Sequence, residues 1–263
     1  MSTASTSPGP TGRSGPTDSA GTEAEVWAGV RDLIGDERIT LGHHWSFNLR
    51  NDPKRFPFVL SRYKFAAKMA APNTGRARSV LELGCSEGLG TMVLAEFASR
   101  YHGVDLDADA VATAQANWSA EKRTFEACDF LNGENGQPRA FDAGSAGGRF
   151  DGVVSLDVIE HIAPEAEPRY WQAVTANLTD DGVAVIGTPN QTSEAYASPL
   201  SKAGHINLFT FDRMRDTLHR YFKSVLLFGL NDEIVHTGYA PMCHYVMGVG
   251  IHPRSGDAPP SEL

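Results

Sequence analysis

The sequence predicts an α/β protein: a doubly wound, mostly parallel sheet of seven strands whose last strand is antiparallel, preceded by an N-terminal helical cap. Two observations support this fold class. After Pro72, short apolar runs alternate with amphipathic segments, which is typical of βαβ units and of a parallel sheet covered on both faces. Residues 230–241, between the last two apolar runs, show no helical pattern, which allows an antiparallel hairpin at the end.

The individual elements follow from the same patterns. Helical spacing of apolar residues predicts two cap helices, over residues 24–33 and 58–70, with a polar-aromatic stretch at 41–47 between them. The apolar runs predict strands over residues 79–83, 101–105, 124–128, 150–156, 182–187, 223–229 and 243–251. The amphipathic segments predict helices over residues 89–99, 108–118, 165–178 and 211–221.

Composition divides the chain into four parts. Residues 1–22 consist almost entirely of Ser, Thr, Pro, Gly and Ala, and residues 254–263 are similar, so neither stretch can bury enough apolar surface to offset its ordering entropy. We therefore predict disordered tails over residues 1–22 and 254–263. Between them we place a helical cap over residues 23–77 and a sheet domain over residues 78–253.

Charge and cysteine content exclude several classes of protein. With 23 Lys and Arg against 32 Asp and Glu, the net charge is −9, which argues against a protein that grips nucleic-acid phosphates. No apolar run reaches the roughly 18–20 residues of a membrane span, and the first residues lack the apolar core of a secretory signal. The three cysteines form no CxxC pair, so we expect reduced thiols in a cytoplasmic protein. We expect this protein to be a monomer or a homodimer.

Histidine and cysteine spacing predicts no metal site. His43 and His44 are adjacent, as are Cys243 and His244, and adjacent residues on a strand point to opposite faces. The sequence also contains no HExxH motif.

A glycine-rich turn, GCSEGLG over residues 84–90, follows the first predicted strand of the sheet domain and precedes a helix. Such a turn lets backbone approach a ligand closely, and the amides of the next helix favour an anionic group. Asp105 lies 21 residues after Gly84, at the expected end of the second strand, where a carboxylate can accept hydrogen bonds from a ribose diol. Together the two features predict a cofactor that contains adenosine.

The spacing of this turn differs from the G-x-G-x-x-G of dinucleotide-binding proteins. Glu82 followed by Gly84-x-Ser86-x-Gly88 instead resembles the first motif of class I S-adenosylmethionine (SAM) methyltransferases, with serine in place of the middle glycine. Residues 127–130, 150–162 and 178–186 resemble further motifs of that family, including a Glu-His pair that ends at His161. The resemblance implies a Rossmann-like methyltransferase fold, SAM as cofactor and S-adenosylhomocysteine (SAH) as product.

The resemblance also implies roles for particular residues. The expected cofactor-binding residues are the motif acid Glu82, the methionine loop Gly84, Ser86 and Gly88, the ribose acid Asp105, the adenine neighbours Leu106, Asp129 and Phe130, and Asp157 at the methionine end. In the cap, Arg62 or Tyr63 is expected to meet the cofactor carboxylate. For Asp129, bracing of its own loop is the alternative role.

The implied chemistry is in-line methyl transfer to an O or N atom of a small molecule, such as a sugar, an amino acid or a secondary metabolite of natural product biosynthesis. A hydroxyl acceptor usually needs a base, and histidine suits this role near neutral pH. His205, before a Phe-Thr pair, and His161 are the candidate catalytic residues, with loop-bracing roles as the alternatives. A non-catalytic SAM-binding protein and an NAD(P)-dependent oxidoreductase on a similar sheet are the other functions left open.

Overall fold

The computed structural model describes residues 22–71, 78–133, 136–144 and 147–254. The predicted tails were residues 1–22 and 254–263, and all of them except Thr22 and Arg254 lie outside the described residues. The predicted boundary between cap and sheet domain, near residue 77, also lies outside them. Two compact units are present, one up to Ile39 and one from Thr40 onward. In the first unit, α1 (Glu23–Ile34) begins with a capping box, in which the Thr22 side chain and Glu25 satisfy each other's backbone N–H groups.

The second unit is built on a sheet that, within the described residues, has eight strands. They are β1 (Ser79–Leu83), β2 (Arg100–Asp105), β3 (Arg123–Ala127), β4 (Phe150–Leu156), β5 (Leu178–Pro189), β6 (Phe222–Asn231), β7 (Ile234–His236) and β8 (Tyr245–Pro253). The spatial order is β3-β2-β1-β4-β5-β8-β6-β7. Strands β1 to β5 pair in parallel, and β8 lies antiparallel between β5 and β6. The predicted doubly wound, mostly parallel fold is confirmed.

The predicted number of seven strands is wrong by one. The eighth strand, β7, lies within residues 230–241 and forms an edge hairpin with β6. A two-residue turn joins them, in which Asp232 adopts a left-handed φ of 53°, a conformation that aspartate tolerates better than most residues. The sequence predicts no strand within residues 230–241, because a three-residue strand is too short to show alternation.

The helices of the second unit cover both faces of the sheet. They are α2 (His43–Asn51), α3 (Arg55–Ala70), α4 (Thr91–Phe97), α5 (Ala108–Trp118), α6 (Glu167–Ala176), α7 (Pro199–Gly204) and α8 (Phe211–Tyr221). The bounds of α5 and α8 agree with the prediction, whereas α2 and α7 form in segments where no helix was predicted. Among the described residues, no helix combines the length and apolar character needed to span a membrane.

Alternating side chains of the central strand supply both cores. All five residues of β1 are buried. Val80 packs in a cluster with residues of α3, α4 and α5, while Leu81 and Leu83 pack with residues of α6 and α8 on the opposite face. Successive strand residues point to opposite faces, so Glu82 shares the face of Val80. The carboxyl ends of β1, β2 and β4 remain open at one edge, and the candidate site forms there.

Candidate functional site

A cavity of about 440 Å³ lies at the carboxyl ends of the parallel strands, within the size range of small-molecule sites. Its lining includes these predicted site residues: Tyr63, Gly84, Ser86, Asp105, Leu106, Asp129, Phe130, Asp157, His161 and His205. The prediction missed His44, Trp45 and Arg55, which also line it, as does Glu160 of the Glu-His pair noted in the sequence. His44, Trp45 and Arg55 come from α2 and α3, and no local motif marks a helix that folds over a distant loop.

The glycine-rich turn forms the floor of this cavity. The backbone N–H groups of Gly84 and Cys85 both donate to the carbonyl of Val104, which ties the turn to the end of β2. Gly84 has a φ of 85°, and a Cβ built there would lie 2.2 Å from Cγ2 of Val158. Only glycine fits this position without displacing its neighbour. The missing side chain at Gly84 therefore lets Val158 pack closely against the turn.

Gly88 lies outside the lining of the cavity. Its φ is 77°, and a Cβ there would lie 2.8 Å from the Trp118 ring and 2.9 Å from Cβ of Ala114, both in α5. The absence of a side chain lets the turn pack closely on this helix. Gly88 thus contributes to the cavity by positioning the turn.

Asp105 lies between the turn and the helix that follows β2. Its Oδ2 accepts a hydrogen bond from the Ser86 N–H at 2.7 Å, and its Oδ1 accepts from the Asp107 N–H at 3.0 Å. Each carboxylate oxygen keeps a second lone pair, so the group can still accept from a ligand diol. Leu106 beside it is 73% exposed at the rim of the cavity.

The motif acid Glu82 lies beneath the turn and is not part of the cavity lining. Its side chain is fully buried and accepts a short hydrogen bond from the Tyr101 hydroxyl, which in turn accepts from Thr91. Burial raises the pKa of Glu82 from 4.5 to about 7, and the hydrogen bond from Tyr101 opposes the shift. Glu82 therefore supports the turn from below.

This raised pKa predicts a pH-dependent stability difference. Between about pH 4.5 and 7 the folded chain keeps a proton on Glu82 that the unfolded chain has released, so this contribution to stability is lost as the pH rises through about 7. In Glu82→Gln the side chain at position 82 has no proton to lose. The free energy of unfolding of this variant minus that of wild type is therefore expected to rise by about 3 kcal/mol from pH 4.5 to 8. Urea denaturation across this range measures it, with exposed Glu121→Gln as the control for removal of one carboxylate. Parallel profiles of wild type and Glu82→Gln would contradict the prediction.

Asp129 braces its own loop as well as lining the cavity. Its Oδ1 accepts from the Leu131 N–H at 2.9 Å and its Oδ2 from the Asn132 side chain at 2.7 Å. The alternative role considered for this residue is therefore present. Phe130 next to it is buried, with its ring 6.3 Å from that of Tyr170.

Arg62 pairs with Asp157 across the site. Its Nη1 lies 3.1 Å from Oδ2 of Asp157, and its guanidinium stacks 3.7 Å above the ring of Tyr245. Asp157 has a left-handed φ of 57°, held by a hydrogen bond from its N–H to the carbonyl of Gly187. Arg62 lines a neighbouring cavity instead of the first one. This ion pair already engages the guanidinium that was expected to meet the cofactor carboxylate.

Glu87 attaches the N-terminus of α2 to the glycine-rich turn. Its two carboxylate oxygens accept from the backbone N–H groups of His44 and Trp45, at 2.7 and 2.9 Å. The residue before this helix is Gly42, which offers no side-chain cap, so Glu87 satisfies the free amides from a distance of more than 40 residues in sequence. This contact places α2 over the cavity.

Glu160, His161 and His205 lie close together in the lining of the cavity. The carbonyl of Glu160 accepts from the N–H groups of Ile206 and Asn207, at 2.8 and 3.1 Å, which fixes the chain beside His205. The rings of His161 and His205 are 5.1 Å apart in an edge-to-face arrangement. Burial, followed by the charge of His161, lowers the pKa of His205. Burial, followed by the charge of Asp157, raises the pKa of Glu160 to about 8.

A second cavity of about 270 Å³ adjoins the first. Arg55, Asp157 and His205 line both cavities and so mark the junction between them. The rest of its lining is largely polar. It comes mainly from α3 and from residues 189–208, with contributions from Asp52, His244 and Tyr245. The arrangement provides two adjoining chambers with an imidazole between them.

Comparisons with known proteins agree with this geometry. A family model described as a methyltransferase domain matches residues 54–223. A mitochondrial ubiquinone biosynthesis O-methyltransferase from Arabidopsis thaliana is 28% identical over 157 residues, which are 59% of this chain and 46% of that protein. The chain spans about half the length of the curated relatives it matches.

Solved structures show the same fold. The N-methyltransferase NodS from Bradyrhizobium japonicum WM9, in complex with SAH, matches with a TM-score of 0.54 at 17% identity, over 78% of this chain and 93% of that one. The plantazolicin methyltransferase BpumL, in complex with SAH, matches with a TM-score of 0.55 at 14% identity, over 80% of this chain and 88% of that one. These matches confirm the predicted Rossmann-like methyltransferase fold, and with the family model they support SAM as the cofactor.

Proposed function

Because this chain belongs to the methyltransferase-domain family, we propose that it transfers the methyl group of SAM to a hydroxyl oxygen of a small molecule, such as a sugar, an amino acid or a secondary metabolite. The observation that carries the proposal is the position of His205, an imidazole at the junction of the two cavities. The first cavity would hold the cofactor and the second the acceptor. The curated relatives named as O-methyltransferases favour oxygen over nitrogen.

The residues of the first cavity fit SAM. The carboxylate of Asp105 matches a ribose diol, and the apolar side chains of Leu106 and Phe130 suit the adenine. The turn from Gly84 to Ser86 lines the cavity, where its backbone can contact the methionine part. Several acids surround the cavity, and negative charge suits a ligand with a sulfonium and an ammonium group. Arg55, which has no ion pair among the described residues, is the candidate partner for the cofactor carboxylate.

The chain's own tasks in the reaction are alignment, exclusion of water and removal of one proton. When bound, SAM supplies a methyl group on a positively charged sulfonium, so the departing thioether is neutral and needs no acid. The acceptor hydroxyl loses its proton as the new O–C bond forms, and a ring nitrogen of His205 is the base in our proposal. Residues 191–204, in a 3₁₀ turn and α7, enclose the acceptor chamber and limit access of water.

Binding and product analysis test this proposal. Calorimetry should show one molecule of SAH bound per chain, and mass spectrometry should detect a mass increase of one methyl group in acceptors that carry a hydroxyl. Methylation confined to amines would show that the acceptor atom is nitrogen and not oxygen. Binding of SAH without any methylated product across the acceptor panel would favour a non-catalytic SAM-binding protein.

His205→Ala is expected to lower the turnover number by roughly 10²–10⁴-fold, the usual contribution of a general base, and to leave the Kd for SAH unchanged. His205 is half-buried, so its replacement leaves no large cavity. Steady-state kinetics and calorimetry measure the two quantities. His43→Ala, which removes an exposed histidine outside the cavity lining, is the matched control. An unchanged turnover number in His205→Ala would contradict the role of a base and indicate that His205 only braces its loop.

A further inference from the structure

Three side chains at the junction have the composition and spacing of a metal site. A carboxylate oxygen of Glu160 and one ring nitrogen each of His161 and His205 all lie within 4.8 Å of one another. We propose that these residues bind one divalent transition-metal ion of the zinc type. No sequence motif indicated this site, because His205 lies 44 positions after His161 and only the fold brings them together.

The hydrogen bond of His161 leaves one of its ring nitrogens free to bind a metal ion. Its Nδ1 lies 2.8 Å from the carbonyl oxygen of Gly204. A carbonyl can only accept, so Nδ1 carries the proton, and in the neutral ring Nε2 keeps its lone pair. Histidine ligands in metal sites commonly donate their other N–H to a carbonyl in this way, which fixes the tautomer and the ring orientation.

The carboxylate of Glu160 has an unused oxygen. The residue is fully buried, and its Oε2 accepts from the Thr188 hydroxyl at 2.9 Å. Its Oε1 is buried and has no hydrogen-bond partner among the described residues. A buried carboxylate oxygen without a partner is costly, and coordination of a cation would satisfy it. Asp157 is not counted as a ligand, because Arg62 already occupies its carboxylate.

The backbone holds the three ligands in place without the ion. Glu160 and His161 are consecutive residues of one 3₁₀ turn, Ile159–His161. The chain around His205 is tied to this turn twice, through the Gly204 carbonyl on the ring of His161 and through the Glu160 carbonyl on the Ile206 N–H. Ligand atoms around a tetrahedral zinc ion lie about 3.4 Å apart, so a modest rotation of the two histidine side chains completes the geometry.

The donor set indicates both the ion and its use. Two imidazoles and one carboxylate suit zinc better than magnesium or calcium, which prefer oxygen ligands only. Three protein ligands leave a fourth position, as in catalytic zinc sites, and this position would face the chamber beside His205. An acceptor oxygen bound there would lose its proton more easily. This use rests on the proposed function, and the ion would then replace His205 as the group that activates the hydroxyl.

The test is direct titration of the untagged full chain, treated with chelator, with Zn²⁺ by calorimetry and with Co²⁺ by visible absorption. The expected result is one ion per chain, with the ligand-field bands of a four- or five-coordinate cobalt site and no thiolate charge-transfer band. Glu160→Gln, His161→Ala and His205→Ala should each weaken metal binding by more than about 10²-fold. Loss of a residue that only hydrogen-bonds to a metal ligand typically weakens metal binding by roughly 10–100-fold. His43→Ala should bind as wild type does.

Absence of binding, or binding that survives in all three variants, would overturn the proposal. The two histidines keep the test valid if Glu160→Gln fails to fold, because His161 is exposed and His205 is half-buried, and neither belongs to the core. SAH calorimetry on the same metal-free protein separates the two proposals. Metal binding without SAH binding refutes only the proposed function, and SAH binding without metal binding refutes only the metal site.

Discussion

Asp105→Ala is expected to weaken the binding of SAH by about 10²-fold. In the proposed site this carboxylate accepts two hydrogen bonds from the ribose, and hydrogen bonds to a charged group contribute about 1.5 kcal/mol each, or about 3 kcal/mol together. The substitution also removes the acceptor for the Ser86 N–H, which helps to hold the turn in place. Isothermal titration calorimetry with SAH measures the change.

The matched control is Asp109→Ala, which removes the same charge from the first turn of α5, where this side chain makes no hydrogen bond among the described residues. Its Kd for SAH should stay within about twofold of wild type. Thermal unfolding of both variants shows whether Asp105→Ala remains folded. A folded Asp105→Ala protein that binds SAH as tightly as wild type would contradict the assignment of Asp105 to the cofactor.

Gly84→Ala is expected to lower the free energy of unfolding by about 3 kcal/mol or more. An alanine at a φ of 85° adopts a left-handed conformation that costs roughly 1–2 kcal/mol. Its Cβ would also lie 2.2 Å from Cγ2 of Val158, and overpacking of this kind typically costs about 1–3 kcal/mol. Urea denaturation measures the loss, and the distorted turn should also impair SAH binding.

Two further variants separate the causes. Gly29→Ala in α1 adds a methyl group where nothing lies within 4 Å, so it should be neutral or stabilise the helix by up to about 1 kcal/mol. Combining Gly84→Ala with Val158→Ala removes the steric clash and leaves the backbone conformation, so part of the loss attributed to the clash should be recovered. A Gly84→Ala protein with wild-type stability would show that the turn is not constrained as described.

Local patterns predicted much of the fold. The observed bounds of β1, β4, α5 and α8 match the predicted ones. The spacing of apolar residues that predicts each of these elements is contained within the element itself. Segments without such a period were missed. α2 has a polar, aromatic sequence and takes its N-terminal hydrogen bonds from Glu87, and the short strand β7 exists only by pairing with β6.

The candidate site divides in the same way. The turn at Gly84 and the acid Asp105 could be predicted, because both follow strands whose ends meet at one edge of a parallel sheet. The ion pair of Arg62 with Asp157 could not, since the two residues are 95 positions apart. Glu82 was expected beside the cofactor, but side-chain alternation along β1 places it beneath the turn against Tyr101.

By itself, the sequence determined a doubly wound sheet, a glycine-rich turn after its first strand and a family resemblance, all of which depend on residues close together in the chain. Only the tertiary structure decided which side chains share the junction of the two cavities. The cluster of Glu160, His161 and His205 depends on hydrogen bonds between a turn after β4 and the chain after α7. Contacts between such distant segments arise from packing of the whole sheet, and no local period encodes them.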